Sequence, residues 1–171
     1  MKYLIWLAVT WILLGLESPL LGTFEMQLYL PDVLLITALY VAVNGELLPG
    51  VAIVFAAGLL KDGFTLASPV GLFTEIGILS LLAARALLQR VDLRSIVPLM
   101  ATAAAASIAA SGLFLALQSV FDRDFAGHDQ VIQTMLPLAL ATMIMAPLQF
   151  GLMDRAAGVF GRRDQKNVLL R

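Results

Sequence analysis

The sequence predicts an all-α fold, a polytopic integral membrane protein built as a six-helix bundle, and three observations carry that expectation. Hydrophobic residues fill 60% of the 171 positions, against about 45–50% in a typical soluble domain. Only 13% of residues are charged and the mean hydropathy is +0.92, which suits helices whose outer faces meet lipid. The apolar residues also fall into six runs separated by charges and turn residues, several of them near the ~20 residues that cross a bilayer at 1.5 Å per residue.

The first run, 3–21, follows Lys2 and has the look of a secretory signal. No small-x-small cleavage site follows it, the sequence reading Gly15, Leu16, Glu17, Ser18, Pro19, so a retained helix frayed at Glu17 and Pro19 is expected. The second and third runs, 31–43 and 47–60, are short and separated only by Asn44, Gly45 and Glu46. Two full spans are expected, with a re-entrant hairpin as the alternative. The fourth run, 70–88, holds Glu75 about one turn beyond Gly71. The fifth, 96–121, contains the small-residue stretch Ala101 to Gly112, smooth on all sides and suited to wedging among neighbouring helices or against a partner's helix. The sixth, 131–153, carries Pro137 and Pro147 with Met135, Met143, Met145 and Met153, expected to kink and to pack adaptably. A basic tail, 156–171, follows.

Six crossings place the N-terminus, the 44–46 turn, the loop around Arg90 and the C-terminal tail on one side. That side holds Lys2, Arg85, Arg90, Arg94, Arg155, Arg162, Arg163, Lys166 and Arg171, leaving only Lys61 and Arg123 of the 11 basic residues opposite. Basic loops resist translocation, so both termini are expected in the cytoplasm of a cell bounded by an inner membrane.

Several chemistries are not expected. The chain has no Cys and one His, His128, which excludes disulfides and thiolate nucleophiles and leaves a zinc site without ligands. Ser107 and Ser111 lie one turn apart but lack a base within their helix. No Gly-rich phosphate loop, metal triad or nucleic-acid patch is present, and no catalytic residue, cofactor or nucleic-acid partner is expected.

Charge within the runs is the natural place to seek function, since an ionised side chain at helix centre costs roughly 2.5–3.5 kcal/mol unless paired or wet. Lys61 and Asp62 close the third run, and Lys61 is expected to snorkel outward and pair loosely with Glu75 across the connecting loop. Gly50, Val54, Gly58 and Asp62 recur every four residues and share one stripe of the third helix. Glycines so placed let a second helix approach closely, either within the bundle or from a partner. Asp62, at the outer end of the stripe, is expected to accept hydrogen bonds from the amides that begin the fourth helix near Val70 and Gly71.

The segment Leu30 to Leu82 carries Pro31-Asp32 opening an apolar helix, Gly58 with Asp62 four residues on, then Pro69 and Gly71 opening the next helix. Near the C-terminus stands PLQFGLMDR, with Pro147, Phe150 and Arg155. In these features the chain resembles the bacterial rod shape-determining protein MreD family. Lys61, Glu75 and the alanines of the fifth run depart from that pattern, and no family role attaches to them.

The resemblance implies a non-enzymatic inner-membrane component of the rod complex, or elongasome, which organises lateral peptidoglycan synthesis and keeps cells rod-shaped. Implied partners are a bitopic MreC-like protein, the actin-like MreB at the cytoplasmic face, RodA with a class B penicillin-binding transpeptidase, and membrane lipid. The family also looks similar in fold to the substrate-binding subunits of energy-coupling-factor transporters, so a vitamin-type carrier subunit is the alternative. Pro31, Asp32, Gly50, Gly58, Asp62, Gly71, Pro147 and Arg155 are the resulting candidates for helix packing or a partner interface.

Overall fold

Six helices follow one another in a computed structural model that describes residues 2–23, 30–64, 71–88, 95–121 and 128–168. They are α1 (Lys2–Thr23), α2 (Val33–Asn44), α3 (Leu47–Phe64), α4 (Leu72–Leu87), α5 (Ile96–Phe121) and α6 (His128–Val168). Among the described residues there is no strand. Three stretches, Leu47–Phe64, Ile96–Val120 and His128–Gly158, are long and apolar enough to cross a membrane.

The bundle is organised around α2. Every residue from Val33 to Ala42 is buried, and the helix packs against each of the other five. A helix apolar all round needs such enclosure. At 12 residues it measures about 18 Å, well short of a hydrocarbon core of about 30 Å. Its start is fixed by Asp32, whose side chain accepts from the Leu35 amide at 3.1 Å, satisfying one of the donors that open a helix. It ends at Asn44, and the chain reverses through Gly45 and Glu46 into α3.

Cross-links define the two ends of the bundle. At one end the Tyr3 hydroxyl accepts from the Glu46 amide at 3.2 Å, and the Arg85 guanidinium donates to the Gly45 carbonyl. An edge-to-face series of rings, Tyr3 to Trp6 to Tyr40 to Phe150, with centroids 5.2, 5.2 and 5.0 Å apart, ties α1, α2 and α6 together near that end. At the other end the beginnings of α2 and α4 meet the end of α3.

Several boundaries differ from the sequence expectation. The α1 helix continues through Glu17 and Pro19 to Thr23. The α3 helix extends to Phe64, so Lys61 and Asp62 sit within its last turn and not beyond it. The α6 helix runs without a break to Val168, past both prolines, so Arg155, Arg162, Arg163 and Lys166 continue the sixth helix, while Arg171 lies outside the described residues. On α5 the small residues divide between two duties. Ala103, Ser107, Ala110 and Ser111 are buried, whereas Thr102, Ala105 and Ala109 line an apolar groove of about 400 Å³ between α4 and α5. Pro69, Val70, Arg90, Arg94 and Arg123 lie outside the described residues.

Candidate functional site

Asp32, Lys61 and Asp62 converge where α2, α3 and α4 meet. The stripe on α3 creates the meeting. Gly50, Val54, Gly58 and Asp62 are all buried, and at Gly58 an added Cβ would stand 2.6 Å from the Cα of Thr74. The α4 backbone therefore lies directly against α3 at that point, and only glycine permits the approach. Gly50 lies two turns away, where a Cβ would come within 2.6 Å of a Val41 methyl on α2.

One turn beyond Gly58, Asp62 caps α4. Its Oδ1 accepts from the Phe73 amide at 2.9 Å, and its Oδ2 accepts from the Thr74 amide at 3.2 Å and the Thr74 hydroxyl at 2.7 Å. Three donors at the positive end of a helix satisfy both oxygens of this buried carboxylate inside the apolar bundle. The amides engaged, of Phe73 and Thr74, are three residues further on than Val70 and Gly71. Gly71 explains the offset: its φ of +106° turns the chain into α4 with a left-handed residue, which glycine adopts without a steric penalty.

Lys61, beside Asp62, does not reach Glu75. Its Nζ donates to Asp32 Oδ1 at 2.8 Å and lies 4.9 Å from the centre of the Phe73 ring, while Glu75 is exposed. The expected partner fails because Glu75 follows Thr74 on α4 and points away from the face that Asp62 holds. Asp32 thus serves two helices, capping α2 and fixing the end of α3. Its own amide donates to the Thr142 hydroxyl on α6 at 3.0 Å. Glu17 of α1 is close enough for its charge to act on both Lys61 and Asp32.

A second set of polar contacts runs through the core. Gln149 Nε2 donates to Thr37 Oγ1 at 2.9 Å and to the Val33 carbonyl at 3.1 Å, and Thr10 and Thr37 hydroxyl oxygens are 3.2 Å apart. All three residues are fully buried, and they join α1, α2 and α6. Toward the opposite end, Tyr40 donates its hydroxyl to Asp154 Oδ1 at 2.7 Å.

Of the candidate residues, Asp32, Gly58, Asp62 and Gly71 gather at the α2–α3–α4 corner, with Pro31 immediately before the cap. Pro147 and Arg155 belong to the other end, Pro147 within α6 and Arg155 exposed upon it. Thr142, Gln149, Thr37 and Thr10 were visible only as polar residues in apolar runs, and the Tyr40–Asp154 bond had no signal in spacing. Among the described residues no group of three or more His, Asp or Glu is arranged to hold a metal. The charges are instead neutralised by one another and by helix ends, an arrangement suited to fixing helices. No protein-family model, curated protein or solved structure matches the chain.

Proposed function

We propose that this chain is a polytopic inner-membrane, non-enzymatic organiser of lateral peptidoglycan synthesis, of the kind its resemblance to the MreD family implies. One observation carries the reading furthest. Four of the residues on which the resemblance rests, Asp32, Gly58, Asp62 and Gly71, stand in a single brace that sets α2, α3 and α4 relative to one another. Their polar atoms face each other and the backbone, so the shared motif reads as a device for holding a rigid membrane platform. A bundle braced in this way supports partners that dock within or beside the membrane. On the resemblance these are the bitopic MreC-like protein and the synthase pair, with MreB below.

Controlled depletion in the rod-shaped host tests the reading. Cells are expected to widen and round while solute uptake stays normal. A specific vitamin requirement with unchanged shape would move the chain to the carrier class, whose fold the family resembles.

A further inference from the structure

Five helices ring α2 in the order α1, α3, α4, α5, α6, each packed on its neighbours and the last on the first. The joint between α4 and α5 is the thinnest of the ring, whereas α5 packs along α6 more extensively than any other pair does. Where α4 begins, the joint is closed: the Phe73 and Phe114 rings stack with centroids 5.7 Å apart, and Leu72 and Ile76 share a buried cluster with Ala110. Toward the end of α4 the two helices part around the apolar groove of about 400 Å³. Leu79, Ala83 and Leu87 line it from α4, Ala105 and Ala109 from α5, and Leu39 of α2 is its floor.

The neighbours of α5 are pinned and α5 is not. On α4, Asp62 holds the start and Arg85 ties the last turn to the Gly45 carbonyl. The α6 helix is held to α2 and its cap at three heights, by Thr142, Gln149 and Asp154. None of these bonds involves a polar side chain of α5. Ser111 and Ser119 donate to carbonyls of α5 itself. Ser107 and Gln118 are each 1% exposed, and among the described residues Ser107 Oγ and Gln118 Oε1 have no hydrogen-bond partner. A helix locked in one position normally satisfies such atoms.

We propose that α5 is a strap poised to close: it shears along α6, pivoting near Phe73 and Phe114, and seats Ala105 and Ala109 on Ala83 of α4. Packed helices move by small slides of this kind, and the buried side of α5, with Ala103, Ser107, Ala110 and Ser111, is smooth. Lipid tails are as apolar as the groove, so no hydrophobic force draws α4 and α5 together. The open and closed arrangements differ mainly in packing, and whatever binds one of them in the membrane shifts the balance toward it. The inference goes beyond the wall-synthesis reading and needs only a membrane-embedded bundle.

The groove sets the size of the motion. Spread over the about 12 Å from Leu79 to Leu87 and the about 10 Å breadth of a helix, the groove is a gap averaging about 3 Å. A wedge closed at one end is about twice as wide at the other, so the start of α5 should move by about 6 Å.

Distances between spin labels test this. The chain has no Cys, so cysteine pairs introduced into the full chain in lipid nanodiscs report alone. Leu48 and Val97, at the starts of α3 and α5, are 83% and 76% exposed, and labels there sit clear of the packed faces. Their separation is expected to show two maxima about 5 Å apart, slightly less than the full swing because the pair views it obliquely. Phe64 with Val120, at the pivot end, and Leu48 with Leu152, between α3 and α6, should each show one maximum. Ala109→Leu fills the groove and should leave only the longer separation of Leu48 and Val97. A single maximum for that pair in the unaltered groove overturns the proposal. So do two maxima that Ala109→Leu leaves unchanged, two maxima in the control pairs, or loss of the chain in that variant, which would show that the groove has no room for the larger side chain.

Discussion

Asp62 and Thr74 are joined twice, through the Thr74 amide at 3.2 Å and the Thr74 hydroxyl at 2.7 Å, one turn from the point where Gly58 touches the same threonine. The close approach and the cap are therefore one feature. Glycine brings the α4 backbone near, and the carboxylate then satisfies the helix start that the approach has buried.

Asp62→Leu should consequently cost more than Asp62→Asn. Leucine leaves the Phe73 and Thr74 amides without an acceptor, at about 1–3 kcal/mol for each buried group. Asparagine keeps one acceptor oxygen, enough for the Phe73 amide or for the Thr74 donors but not for both, and loses the charge assistance. Chain level in the membrane and thermal unfolding in detergent should rank wild type, Asn, Leu in that order, and equal behaviour of the two variants would show that the cap does not matter.

Substitution at Gly58 should disturb the bundle even with alanine, since the obstacle at 2.6 Å is backbone and not a movable side chain. A cost of about 1–3 kcal/mol is expected for such overpacking, and Gly58→Leu should lower the chain level itself. Gly63 provides the contrast on the same helix. A Cβ there meets nothing within 4 Å, so Gly63→Ala should be neutral or slightly stabilising through helix propensity.

The four-residue spacing of Gly50, Gly58 and Asp62 was sufficient to locate the α3 face that packs inward, because periodicity alone dictates which residues share a stripe. It could not say which helix would cover it. The partner of Lys61 was beyond reach for a related reason: Asp32 and Glu75 stand at similar positions near helix starts, and only the angle at which α4 meets α3 turns one toward the lysine and the other outward. The six helices followed from hydropathy, while the end of α3 did not, since a Lys-Asp pair reads as a boundary until both charges are seen to be satisfied inside the bundle. Tyr40 and Asp154, 114 positions apart, met through tertiary packing that no local pattern encodes.

At that contact, Tyr40→Phe removes one hydrogen bond but keeps the ring between Trp6 and Phe150. A loss of about 1 kcal/mol is expected. Tyr40→Ala also removes both ring contacts and leaves a cavity, for about 3–5 kcal/mol. Unfolding in detergent should separate the two clearly, and a similar effect for both would mean that the hydroxyl, not the ring, holds α1, α2 and α6 together.

Orientation is open to a direct measurement. A reporter fused after Arg171 should register the cytoplasm and one inserted near Gly127 the outer side, because the six-span reading assigns nine of the 11 basic residues to the side of the N-terminus and the 44–46 turn. Opposite readings would invert the topology.

The pair of Lys61 and Asp32 allows the most discriminating test, because its members are not equivalent. Their side chains are 13% and 16% exposed, so the pair falls between the about 0–1 kcal/mol of a surface bridge and the about 3–5 kcal/mol lost on breaking a buried one. Lys61→Met leaves Asp32 its bond from the Leu35 amide, and the carboxylate keeps its place at the start of α2. Asp32→Ala removes that cap, worth about 1 kcal/mol, and also the acceptor that the Lys61 ammonium meets at 2.8 Å. Asp32→Ala should therefore be the more damaging single change. Adding Lys61→Met to it should recover part of the loss, since the largely buried charge that lost its closest acceptor disappears while the missing cap remains. If the two single changes cost the same and the double change equals their sum, Lys61 and Asp32 act independently, and the brace between α2 and α3 lies elsewhere.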